Sequence, residues 1–181
     1  IGSFDLFNNT LTDTSADQRT KSLGFSSSAG FSSANDFYHN FSYTLQNVET
    51  EKLDNYDNKL STDGGKVLSS AGYRISKDTR DNRFNPASGY YYALSEQFAG
   101  LGGDVNYLSS VLRGSYYYKY DYVDLVVGIS GEYGNIEGID ENVSKSNRFF
   151  IGGRKVRGFD SSGIGPRVTE NSSASAVGGN N

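Results

Sequence analysis

Residues 123–134 alternate with a strict period of two. Val123, Leu125, Val127, Ile129, Gly131 and Tyr133 form one series; Asp124, Val126, Gly128, Ser130, Glu132 and Gly134 form the other. A strand sends successive side chains to opposite faces, so this predicts a strand with one apolar face and one small or charged face. Residues 108–119 repeat the pattern, with Leu108, Leu112, Tyr116 and Tyr118 opposite Ser109, Arg113, Ser115 and Lys119. Residues 90–98 set Tyr90, Tyr92, Leu94 and Phe98 against Tyr91, Ala93, Ser95 and Gln97. Residues 23–31, 37–46 and 67–75 behave in the same way, and residues 1–7 read as the tail of one more strand. The pattern therefore predicts about seven strands and an all-β chain.

The connections alternate as well. Short links fall at 32–36, 78–88 and 120–122; longer polar ones fall at 8–20, 48–64 and from 135 onward, with a Gly-rich one at 99–105. Tight turns at one end and long loops at the other are the build of an antiparallel up-and-down transmembrane β-barrel. Aromatics gather beside the short links: Phe31, Phe37 and Tyr38; Tyr90, Tyr91 and Tyr92; Tyr116, Tyr117, Tyr118, Tyr120 and Tyr122. Aromatic rings favour the membrane–water boundary, so these predict a girdle at the periplasmic rim. Glu96 conflicts with the scheme, because it falls on the apolar series of its strand. A nearby bulge or a position close to the outer rim would resolve the conflict.

Composition narrows the picture. The mean hydropathy is -0.56, and no apolar run approaches the roughly 20 residues of a spanning helix. A barrel wall averages to a polar composition because its strands alternate. Tyr 14, Phe 11, Gly 22 and Pro 2 suit such a wall. The same composition would suit a disordered low-complexity segment, but such a segment has no reason to seat its tyrosines beside short links. A net charge of -4 argues against nucleic acid. No cysteine and a single histidine leave no basis for a disulfide framework or an ordinary zinc site, so neither metal nor cofactor is expected. The chain begins at Ile1 without a signal peptide, which is read as a fragment of a longer protein.

Residues 148–167 mix glycines and cations with Phe149, Phe150, Ile151, Val156, Phe159 and Ile164, an apolar load that a solvated loop does not need. The spaced set Gly152-Gly153, Val156-Arg157-Gly158-Phe159, Asp160 and Gly163-Ile164-Gly165-Pro166-Arg167 resembles the VRGF loop of the BamA family of outer-membrane insertases. Asp78-Thr-Arg-Asp-Asn-Arg-Phe-Asn-Pro-Ala-Ser-Gly89 is similar to a periplasmic turn of that family, and Phe98–Asp104 to its following outer loop. The resemblance covers most of residues 65–181; residues 1–64 agree in pattern only.

The resemblance implies a sixteen-stranded barrel, of which this chain carries strands five to eleven as an incomplete curved sheet. Strands and connections would fill 1–134, an inward-folding VRGF loop 135–177, and the start of the next strand 178–181. The POTRA domains and the remaining strands would lie outside it. The implied function is folding and inserting β-barrel proteins in the bacterial outer membrane, without covalent catalysis. Its partners would be the lipid bilayer, nascent barrel substrates, and accessory lipoproteins bound through POTRA domains. A TamA-type factor or a two-partner-secretion transporter shares the scaffold; a passive porin is the rival from another class.

Within the loop, the resemblance assigns Arg157 as a lumen anchor whose guanidinium meets wall carboxylates. The family's own partners lie on later strands. Asp124 and Glu132, on the polar series of residues 123–134, are the local candidates. Val156 and Phe159 would bury against the inner wall. Gly158 would permit a tight turn, as would Gly152, Gly153, Gly163 and Gly165, and Pro166 would stiffen the exit. Arg154, Lys155 and Arg167 read as solvated or generally lumen-bound cations rather than specific anchors. Enzyme readings fare poorly: Asp78, Asp81 and the acidic run Glu49–Asp57 sit in connections, and His39 falls on the apolar series near a rim. Gly100–Asp104 precedes a strand rather than a helix, which removes a phosphate-cradle reading.

Overall fold

The computed structural model describes residues 1–13, 18–52, 61–139, 143, 147–153, 155–160, 163–170, 173–176 and 178–180. Seven strands form one antiparallel sheet in chain order. They are β1 (Gly2–Asp13), β2 (Gln18–Ser32), β3 (Phe37–Lys52), β4 (Ser61–Asp78), β5 (Gly89–Ala99), β6 (Tyr107–Tyr120) and β7 (Leu125–Gly138). A two-stranded hairpin, β8 (Arg167–Glu170) with β9 (Ser173–Ala176), follows. The sheet is open, with β1 and β7 as edge strands, as the alternation predicts.

Register carries the two faces across the whole sheet. One row runs His39–Ile75–Leu94–Leu112–Tyr133, and the row behind it runs Ser76–Ala93–Arg113–Glu132. A slip of one residue would exchange these rows, so the apolar series of each strand holds its neighbours in register. No described residue covers the apolar face: Leu6 is 77% exposed, Phe41 52%, Leu112 50% and Ile129 70%. A continuous apolar sheet face of this kind needs an apolar medium or partner against it. The opposite, inner face is polar toward the turns. Toward the long connections it carries the buried cluster of Leu68, Ala99, Tyr107, Ile136 and Val143, against which Val105 and Phe149 pack.

The strands outrun their sequence pattern at the long-connection end. Residues 8–13, 18–20, 48–52 and 61–64 are strand rather than loop. Apart from Leu11 and Val48 the residues there are polar or Gly, so alternation is silent, yet the ladder continues wherever a neighbouring backbone is in register. One irregularity, between Val48 and Thr50 opposite β4, marks the change. The other departure is at the turn end. Asp121–Val123 is a 3₁₀ turn and Asp124 has φ 49°, so β7 starts at Leu125, two residues later than alternation predicts.

Glu96 stays on the apolar face. The registers of β5 run uninterrupted past it on both sides, so no bulge turns it inward. It lies near the long-connection end of β5, and Ser110 Oγ donates to its Oε2 at 2.5 Å. A position near a rim and a hydroxyl partner lower the cost of an outward carboxylate. The tyrosine clusters divide between faces. Tyr90, Tyr92, Tyr116, Tyr118 and Tyr120 line the apolar face beside the turns, whereas Tyr91 faces inward, bonded to Arg74 and lying 5.0 Å from the Arg80 guanidinium.

Candidate functional site: the loop on the inner wall of β7

The chain leaves β7 at Gly138 and returns to it at Asn180, whose carbonyl accepts from Ile136 N at 2.7 Å. Between these points the loop ties to itself. Phe149 and Gly179 exchange two backbone hydrogen bonds, 3.0 and 2.9 Å. Ile164 N donates to Ile151 O at 3.0 Å, and Gly153 N donates to Phe159 O at 2.9 Å. The result is a narrow excursion with Val156, Arg157, Gly158 and Phe159 near its tip.

Two glycines explain why this excursion closes. Gly152 is buried with φ 150°, and a Cβ on it would stand 1.9 Å from Asp160 O. Only a residue without a side chain lets these two segments meet so closely. Gly158 has φ 92° with no atom near its missing Cβ, so it is there for conformation rather than space. Gly163 N donates to Asp160 O at 2.8 Å, and Arg167 Nη2 donates to Gly163 O at 3.2 Å.

Besides Val143 in the cluster around Ile136 and the Asn180 bond to Ile136, the loop docks on the inner face through two side-chain contacts with β7. The Phe149 ring lies over Gly134, where an added Cβ would meet ring atoms at 2.8–3.1 Å. Lys155 Nζ donates to Glu132 Oε1 at 2.8 Å, while Arg113 Nε on β6 donates to Glu132 Oε2 at 2.9 Å. Glu132 thus bridges the wall and the loop, and both of its oxygens are engaged. Charge-assisted bonds of this kind fix geometry even when partly wet. Both contacts use the face that carries Glu132, Gly134 and Ile136, opposite to Leu125, Val127 and Ile129.

The candidate residues divide accordingly. Glu132 is at the site, but its loop partner is Lys155 rather than Arg157: of the solvated and lumen-bound readings of Lys155, the contact with the inner wall fits the second. Asp124 is not on the wall at all: it sits in the turn, 87% exposed, paired with Lys119 at 3.0 Å. Residues of a left-handed turn step out of the strand alternation, which is why the even series misplaced it. Arg157 is exposed, and no described carboxylate pairs with it. Val156 is half-buried, but Phe159 is 52% exposed rather than buried against the wall, since the excursion turns on its own backbone and touches β7 through Phe149 and Lys155. Gly153 is half-buried with φ 56°; Gly165, Pro166 and Arg167 are exposed. Arg154 lies outside the described residues. Sequence reasoning passed over Arg113 and Gly134 as ordinary wall positions. The available signal was an outsized ring in the loop and a glycine in a strand, which often marks a close approach.

Among the described residues of the site no nucleophile is hydrogen-bonded to a base. His39 lies on the opposite, apolar face, hydrogen-bonded to Ser33 Oγ and to Tyr73 OH, both at 2.8 Å, and stacked on Phe31. Among the described residues no group of His, Cys, Asp or Glu could hold a metal. What the arrangement offers is position: a loop held against the polar wall of an otherwise apolar-faced sheet.

Known proteins share this plan. The Omp85 superfamily domain matches residues 2–181. The outer membrane protein assembly factor BamA of Neorickettsia risticii is 33% identical over 162 residues, covering 88% of this chain and 21% of its own length. A SAM50-like protein of Drosophila melanogaster is 30% identical over 112 residues, covering 58% of this chain and 24% of its own. This chain therefore spans about a fifth of the length of the relatives it matches. The crystal structure of BamA from Haemophilus ducreyi lacking POTRA domains 1–3 superposes with a TM-score of 0.83 at 15% identity, covering 99% of this chain and 39% of that one, which shows the shared fold. With the open antiparallel sheet, the glycine-closed VRGF loop and a domain match across its whole length, the chain belongs to the Omp85 superfamily.

Proposed function

We propose that this chain is the part of a bacterial outer-membrane β-barrel assembly factor that carries strands five to eleven and the VRGF loop. Residues 1–138 supply wall, four residues further than the alternation predicts because β7 stays paired with β6 to Gly138; residues 139–177 supply the loop, and residues 178–181 the opening of the next strand. The observation that carries the reading is the loop itself, seated on the polar face of a sheet whose other face is bare and apolar. A lipid-facing wall accounts for the bare face, and a lumen accounts for the docked loop. The names of the relatives support assembly over the secretion-transporter and porin alternatives.

The physical logic of such a factor needs no covalent step. A nascent strand with unpaired backbone groups is costly in lipid, and an openable barrel edge offers it partners. The partners would be the bilayer, nascent barrel substrates and accessory lipoproteins reached through POTRA domains. Arg157, exposed at the tip beside a wall-bound Lys155, is then presented to carboxylates on strands beyond β7. Arg157→Ala in the full-length protein should lower the level of other barrels in the outer membrane several-fold. Arg157→Lys should rescue only partly, because an ammonium cannot make the paired planar bonds of a guanidinium. Quantitative profiling of outer-membrane proteins reads both variants, and unchanged barrel levels in Arg157→Ala would sink the anchor role.

A further inference from the structure

The turn between β4 and β5, residues 79–88, takes no part in the loop site. Thr79 and Tyr90 close its mouth: Thr79 N donates to Tyr90 O at 2.8 Å, and Tyr90 N donates to Thr79 Oγ1 at 3.0 Å. Inside, Asp81 Oδ1 accepts from the backbone N–H groups of Asn82, Ala87 and Ser88 at 2.9, 3.0 and 3.2 Å. Asn82 Oδ1 accepts from those of Phe84 and Asn85 at 2.8 and 3.1 Å. The turn is thus held from within by its own short polar side chains.

What it holds up is an aromatic ring with nothing around it. Phe84 is 101% exposed, against 37% for Tyr90 and Tyr92 at the strand end. Beside it stands a weakly paired cation. Arg83 is 79% exposed, and its contact with Asp78 is a long one of 3.5 Å to a carboxylate whose two oxygens are already bonded by Arg80 at 2.8 Å each. Oδ1 of the neighbouring Asp81 carboxylate is committed to backbone N–H groups.

We propose that Arg83 and Phe84 form a preorganised docking tip for a water-soluble periplasmic protein domain that offers an apolar socket with a carboxylate at its edge. The side of the membrane rests on the outer-membrane reading above, in which tight turns face the periplasm. Exposed aromatic–arginine pairs are the residue types that dominate protein–protein contacts, and a rigid turn binds without an ordering cost. A membrane surface fits less well. Tyr90 marks the aromatic belt at the mouth of the turn, and Phe84 sits at mid-turn beyond it, flanked by Arg83 and Asn85 rather than by further apolar residues.

The test uses the full-length protein in the outer membrane, with a benzophenone amino acid replacing Phe84. Irradiation should yield an adduct in a soluble periplasmic domain, with the cross-linked peptide within a few residues of an Asp or Glu. Arg83→Glu should cut the yield at least tenfold, Arg83→Lys should keep most of it, and changing the identified carboxylate to Lys should restore yield in Arg83→Glu. Adducts to lipid, an adduct indifferent to Arg83→Glu, or no adduct would each overturn the proposal. Heat-modifiable migration of every variant reports insertion. A lost adduct with normal migration counts against the tip alone, whereas abnormal migration of the unsubstituted protein overturns the outer-membrane reading and the tip with it.

Discussion

The 79–88 turn and the described residues of the loop after β7 are both held by hydrogen bonds and contacts, and they are held in opposite ways. The turn is stabilised locally, by Asp81, Asn82 and Thr79 bonding backbone within 11 residues of themselves. The loop is stabilised partly by its own glycine-closed backbone and partly by the sheet beneath it, through Phe149 on Gly134 and Lys155 on Glu132. A locally capped turn keeps its shape whatever lies around it and can display a ring to solvent. A docked loop depends on contacts distant in sequence, so each docking residue reports on the tertiary structure. This difference makes the turn a presenter and the loop a sensor of its wall.

The comparison can be broken most severely at Gly152. Gly152→Ala forces a Cβ into Asp160 O at a positive φ, a strain of roughly 3 kcal/mol. Trypsin cleavage after Arg157 in folded, membrane-inserted full-length protein should accelerate about a hundredfold, with the 79–88 turn untouched. Equal cleavage rates would show that the excursion is not held by this close approach.

The turn should fail more gently and only through its own side chains. Asp81→Ala removes the acceptor of three backbone N–H groups and should lower the exchange protection of Ala87 and Ser88 about tenfold. Asp81→Asn should retain only part of it, because the neutral amide oxygen still accepts but more weakly than a carboxylate. The Ser88 and Ala87 N–H groups hold the Asp81 carboxyl below the ordinary aspartate value of 3.8. A carboxyl whose pKa is depressed on folding contributes stability above its unfolded value and loses it as pH falls through the folded one. Protection, corrected for intrinsic exchange, should therefore hold from neutral pH to about 4 and fail only in stronger acid. A midpoint well above 4 would show that the bonds do not favour the charged form.

The smallest effect belongs to the ionic part of the docking. Lys155 is 59% exposed, so Lys155→Ala should cost only about 0.2–1 kcal/mol. Its signature is salt: the small increase in loop cleavage should vanish as ionic strength rises and the wild-type pair is screened. An increase as large as that of Gly152→Ala would mean that Glu132, rather than the glycine-closed backbone, holds the loop.

How much of this could be read in advance varies by residue. The paired rows from Leu94 to Tyr133, the two faces and the place of the loop after the last strand were all legible, because burial on one face imposes period two. Asp124 was misread because a single left-handed residue breaks that period without a local warning in composition. The partner of Lys155 was not legible, because a loop cation looks the same whether it meets water or a carboxylate 23 residues earlier in the chain.

The sequence by itself determined the strand class, which side chains share a face, and the glycine-spaced motif, since each depends on backbone periodicity or on the conformational freedom of one residue type. Only the tertiary structure decided how far the strands run beyond their apolar stretches, which cation Glu132 receives, and that Glu96 stays outward with Ser110 as partner. Those outcomes depend on which backbones and charges lie side by side after the sheet has formed, and no local stretch of sequence encodes that adjacency.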